Sequence, residues 1–124
     1  MRMMSFALTT QAVRDEIKDV TRRLGWADLK PGDRLQAVVK CQGIPRGGHV
    51  EKLKVIEVVS NWLEPLCAIG GDEMRREGFP EMTADDFVDM FIRHMPRDHE
   101  GRPTGPHTPV NRIEFQYVHE EATP

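Results

Sequence analysis

Apolar and polar residues alternate most cleanly near the end of the chain. Ile113, Phe115 and Tyr117 alternate with Arg112, Glu114 and Gln116, the period of a half-buried strand. Leu35, Ala37, Val39 and Cys41 alternate in the same way with Gln36, Val38 and Lys40. Between Val50 and Ser60, apolar residues fall on both faces around Val55, Ile56, Val58 and Val59, which predicts a central strand. Residues 4–8 read as a short first strand. Val20–Trp26 is β-branched at its start, ends near Gly25, and reads as extended.

Helical spacing recurs three times. Ala12, Val13, Ile17 and Val20 predict a short helix over 10–18, with Thr9 or Thr10 as its N-cap. Residues 72–77 predict another, with Gly78 at its C′ position. Thr83-Ala84-Asp85-Asp86 is a capping box with its acidic residues at the positive end of a helix. Phe87, Val88, Phe91 and Met95 line one face of that helix, which stops before Pro96.

Leu29-Lys30-Pro31-Gly32-Asp33 suits a type II turn. Residues 43–48 read as a loop, Glu64-Pro65-Leu66 as a break in the long strand, and 96–109 as a second loop. Strands lie at both ends and helices do not alternate regularly with them. The expected class is therefore α+β, not a doubly wound sheet. Closure removes exposed strand edges, so a small mixed β-barrel with two or three helices around it is expected. It spans residues 1–118 as one domain, with a polar tail over 119–124.

The chain has 124 residues, 39% hydrophobic and 30% charged. That composition excludes a collagen, a coiled coil and a chain disordered throughout. No apolar run approaches the roughly 18 residues of a membrane span. Two cysteines, Cys41 and Cys67, make no disulfide framework and are expected to be inert buried thiols of a cytoplasmic protein. The net charge is −3, unevenly spread. Residues 1–70 hold 11 Lys/Arg against 8 Asp/Glu, and residues 71–124 hold 6 against 12. That split points either to two differently charged faces or to chance clustering on a solvated surface. Arg22, Arg23, Lys30, Arg34, Lys40, Arg46, Lys52 and Lys54 either track a phosphate backbone or are ordinary solvated side chains. His94, His99 and His107 lack a metal-ligand spacing, and neither metal nor cofactor is expected.

Lys18-Asp19-Val20-Thr21-Arg22-Arg23 carries the most chemistry. A threonine hydroxyl is a poor nucleophile until a base takes its proton. A lysine is that base only when neutral; burial lowers its pKa and a carboxylate raises it again. The plain alternative is a surface lysine near a helix end. Trp26, after Gly25, either stacks on a base or fills the core rim. Trp62 is expected in the core.

The Lys18-x-x-Thr21-x-Arg23 segment resembles the signature of the ASCH domain, a PUA-like family. Its setting fits too: a helix before it, Leu29-Lys30-Pro31-Gly32-Asp33 and a strand after it, and a final Arg112-Ile113-Glu114-Phe115 strand. Val20–Trp26, Glu77-Gly78-Phe79-Pro80 and Asn111–Phe115 resemble a subgroup common in phage and bacterial genomes. The resemblance implies a PUA-like fold and binding of RNA or a modified nucleoside. One bacterial branch hydrolyses N4-acetylcytidine to cytidine and acetate with a Lys, a Thr and a Glu. By motif position these are Lys18, Thr21 and Glu77.

The implied pocket holds Lys18, Thr21, Arg23 and Glu77, with Arg22 and Trp26 at its rim as substrate or nucleic-acid contacts. Three functions are compatible with it: binding of RNA or a modified nucleoside, N4-acetylcytidine amidohydrolysis, and an accessory protein-interaction module using the acidic second part. One departure is clear. The family pattern has glycine two residues before the lysine, and Glu16 stands there. Glutamate at that place is expected to lengthen the helix.

Overall fold

The computed structural model describes residues 1–119. Its elements run β1 (Met3–Ser5), α1 (Thr10–Arg14), β2 (Val20–Arg23), β3 (Arg34–Val38), β4 (Lys52–Pro65), α2 (Met74–Glu77), α3 (Ala84–His94) and β5 (Pro109–Tyr117). Short 3-10 turns at Leu66–Ala68 and Gly71–Glu73 lead into α2. The class is α+β, as the pattern predicts. Residues 120–124, most of the predicted tail, lie outside the described residues.

The sheet has the order β1-β3-β4-β5-β2. Its long central strand is β4, as the two-sided apolar run predicts. β1 pairs with β3 in parallel, and the other ladders are antiparallel. The sheet is not closed into the expected barrel. β1 has three residues and β2 four, and no ladder joins them. A side chain bridges that gap instead: Arg23 Nη2 donates to the Ser5 carbonyl at 2.6 Å.

Because strand side chains alternate, the sheet buries two cores. One holds Met4, Phe6, Val13, Leu35, Ile56, Ile113 and Phe115. The other, on the opposite face at the far end of β4, gathers Leu66, Ile69, Met74, Phe87, Phe91 and Val110. The second core's helix, α3, is capped by Thr83; the reciprocal bond of a capping box, from the Thr83 N–H to the Asp86 carboxylate, is not formed among the described residues. Thr83 Oγ1 accepts from the Asp86 N–H at 3.1 Å, and Phe87, Val88 and Phe91 face inward as predicted, while Met95, expected on the same face, lies past the helix end and is 42% exposed.

Two boundaries and one burial stand out against the sequence reading. α1 ends at Arg14 rather than continuing to 18, because the Ile17 and Lys18 N–H groups both turn back to the Ala12 carbonyl. Pro65 does not break β4 but ends it. It stands opposite Pro109, and with no N–H on either residue the ladder stops there. Trp62, expected in the core, is 48% exposed. Among the described residues no helix is long and apolar enough to cross a membrane.

Candidate functional site

The turn between α1 and β2 builds the site. Glu16 does not lengthen the helix; it adopts φ 57°, the left-handed conformation that glycine takes without strain. Its carboxylate is bonded by Lys54 Nζ at 3.2 Å and lies 2.7 Å from His119 Nε2. Two residues on, Lys18 enters the interior. The Tyr117 hydroxyl donates to its carbonyl and fixes the main chain there.

Glu77 comes from the other side, as the last residue of α2. Gly78 ends that helix at φ 93°. A Cβ on Gly78 would lie 3.0 Å from Thr9 Cγ2 and 3.1 Å from Ala12 Cβ. Only glycine lets α2 press this closely on α1, and that contact brings Glu77 to Lys18. The Lys18 and Glu77 side chains are 3% and 2% exposed. Lys18 Nζ donates to Glu77 Oε1 at 3.2 Å and also to the Glu77 carbonyl. Burial pulls the Lys18 ammonium below its usual pKa; Glu77 opposes this, while Arg23 and Arg22 add to it.

Thr21 and Arg23 lie on one face of β2, and Arg22 on the other. Arg23 Nε donates to Thr21 Oγ1 at 3.0 Å. No carboxylate pairs with Arg23 among the described residues. Burial brings its guanidinium down to about 10, against the pull of Glu77 and Cys41. Arg22, expected at the rim, is buried instead. Its Nη1 donates to Glu77 Oε2 at 2.7 Å, its Nη2 to Glu64 Oε2 at 3.0 Å, and also to Glu73. Glu73 in turn takes Arg112 Nη2 at 2.6 Å. Burial alone raises the Glu73 carboxyl, but the Arg112 and Arg22 bonds overcome it and hold it at about 2.

Lys18, Thr21, Arg23 and Glu77 all line one cleft of about 290 Å³. Phe6, Phe79, Phe87 and Phe91 wall it, with Met90 beside them and Trp26 at the margin under the Arg2 guanidinium. The Arg23 guanidinium lies 4.8 Å from the Phe6 ring centroid. No hydrogen bond joins Lys18 Nζ to Thr21 Oγ1. The Glu64–Glu73–Arg112 set was not legible in the sequence, since its members lie about 40 to 50 residues from Arg22 or from one another. Trp62 stacks outside this set, 4.6 Å from the Arg112 guanidinium. Cys67 is exposed and Cys41 half-buried, so neither is the buried thiol expected.

Solved structures of this shape exist. A protein of Enterococcus faecalis V583 described by the family model DUF984 superposes with a TM-score of 0.62. The match covers 95% of this chain and 76% of that one, at 13% identity. An ASCH domain from Lactobacillus crispatus JV V101 superposes with a TM-score of 0.60, over 94% and 78% of the two chains, at 16% identity. The fold is that of an ASCH domain. No family model matches the sequence, and no curated protein does. At these identities the ASCH likeness is one of architecture, and the cleft's chemistry rests on its own residues.

Proposed function

We propose that this chain recognises a nucleoside of RNA, modified nucleosides included, by seating its base in the cleft. The observation that carries this is a cleft of about 290 Å³ with aromatic walls over a buried, charged floor. A base is flat and apolar on its faces and polar at its edge. Four phenylalanines supply the walls, and Lys18, Thr21 and Arg23 supply donors for the edge. The volume sits at the small end of ligand pockets, roughly 300–1,000 Å³, and suits one nucleoside rather than a duplex. The ASCH fold, through its kinship with RNA-binding PUA domains, supports the same reading.

One observation favours a second reading, hydrolysis of N4-acetylcytidine. Lys18 is buried, its pKa is lowered, and it shares the cleft with Thr21 and Glu77. In that reaction Thr21 Oγ attacks the acetyl carbonyl while its proton passes to neutral Lys18. The C–N bond breaks as a proton delivered through Glu77 reaches the leaving amine. Water then releases acetate from the threonine ester. Among the described residues Thr21 Oγ1 bonds only to Arg23, which supports recognition over chemistry.

The test is calorimetric titration with N4-acetylcytidine, with chromatography of the same mixture for cytidine. Binding without cytidine establishes a reader. Cytidine that rises with pH and vanishes in Lys18→Met, checked for folding by thermal melt, establishes the hydrolase. No binding and no turnover sinks both and leaves a protein-interaction role.

A further inference from the structure

β2 is the outermost strand on its side of the sheet. Its register with β5 sets Thr21 opposite Ile113 and Arg22 opposite Arg112. The Phe115 N–H donates to the Asp19 carbonyl at 2.9 Å. In an antiparallel ladder, alternate residues turn their backbone groups to the partner strand. Asp19, Thr21 and Arg23 therefore face β5, and Arg22 turns its N–H and C=O the other way. No backbone or side-chain partner meets either group among the described residues. Arg22 is 5% exposed as a residue while its side chain is 1% exposed, so the little surface it keeps lies mainly on its main chain, where a ligand can reach.

The cleft lies on that side. Thr21, Arg22, Arg23 and Leu24 all line it. Successive side chains of a strand point to opposite faces, so three strand residues in a row, Thr21 to Arg23, mean that the strand's own edge forms the wall. We infer that the main chain of Arg22 reads the edge of the bound base, pairing its N–H with a ligand acceptor and its C=O with an adjacent ligand N–H. This inference rests on the nucleoside reading of the cleft.

The floor beside that edge extends the pattern. Both Glu77 carboxylate oxygens are taken, by Lys18 and Arg22. Lys18 uses two of its three hydrogens, on the Glu77 side chain and carbonyl. Arg23 Nη1 and the Thr21 hydroxyl hydrogen have no partner among the described residues. The floor therefore offers donors and no free carboxylate. A ligand edge ordered acceptor, donor, acceptor satisfies all of it. Uracil has that order in O2, N3–H and O4. N4-acetylcytosine does not have it, because its trans amide turns the acetyl oxygen away from N4–H. Cytosine puts its amino group against the donors, and 3-methyluracil lacks the central N–H. The cleft is too small for a peptide strand to add along β2.

The experiment titrates ¹⁵N-labelled protein with uridine, cytidine and 3-methyluridine. Uridine is expected to bind about tenfold more tightly than the other two. It also shifts the Arg22 backbone amide and slows its hydrogen exchange. Binding that leaves the Arg22 amide unmoved, or cytidine binding as well as uridine, overturns the edge reading and keeps the nucleoside reading. No binding of any of the three overturns both. An Arg22 amide that shifts with protein concentration alone assigns the edge to a second copy of the chain and overturns the inference.

Discussion

Arg22 and Arg23 are neighbours on one strand and opposites in circumstance. Arg22 meets Glu64, Glu73 and Glu77, and its carboxylate bonds raise its pKa against the opposing cost of burial. Arg23 meets a hydroxyl, a carbonyl and an aromatic ring, and burial lowers it to about 10. Both are charged at neutral pH. The difference lies in what surrounds them: a guanidinium saturated by carboxylates holds a structure together, and one without a carboxylate keeps donor capacity for a ligand. A pleat of one residue is enough to separate the two roles.

The largest expected effect breaks the saturated side. Arg22→Met leaves Glu77 and Glu73 with fewer partners in a buried site, a change that costs about 3–5 kcal/mol in comparable pairs. Urea unfolding with an unchanged slope is expected to show that loss. Arg23→Met is the counterpart. Affinity for N4-acetylcytidine is expected to fall roughly tenfold, about 1.4 kcal/mol, with the unfolding midpoint changed far less than in Arg22→Met. Equal destabilisation by the two substitutions would erase the distinction between them.

Acid sharpens the comparison further. The folded Glu73 carboxyl sits at about 2, below the usual carboxylate value of 4.5. A depressed acid stabilises the fold above its unfolded pKa and loses that contribution as pH falls towards its folded one. Melting temperature is therefore expected to drop between pH 5 and pH 2, and to drop less in Glu73→Gln. The smallest effect lies just before the strand. Glu16→Gly relieves a left-handed residue, worth roughly 1 kcal/mol, and loses partly exposed ion pairs worth about 0.2–1 kcal/mol each. The two effects nearly cancel, and a melting temperature close to the parent's is the expected result.

The parts of the fold legible in the sequence were those with a strong period. The alternation over β5 and β3, the two-sided β4 and the capped α3 each declare themselves within ten or so residues. Closure did not, because it depends on whether two short outer strands meet, and nothing in either strand's own pattern sets that distance. Helix 10–18 failed for a similar reason: Ile17 keeps the helical spacing, but the turn at Glu16 overrides it. In the cleft, Lys18, Thr21, Arg23 and Glu77 came together through a motif resemblance, not through composition. The aromatic walls were hidden because Phe6 and Phe91 read locally as ordinary core residues. The anchoring carboxylates Glu64 and Glu73 had no signal at all, since an ion pair spanning about 50 residues leaves no trace in spacing.

The gap between β1 and β2 has one more consequence. The cleft is a slot between the two ends of an almost complete ring, and Arg23 is the side chain that bridges those ends. A guest in such a slot takes the place of a missing strand. It would tie the first few residues of the chain to the rest, so occupancy could be read far from the base itself, as slower exchange of the amides of β1.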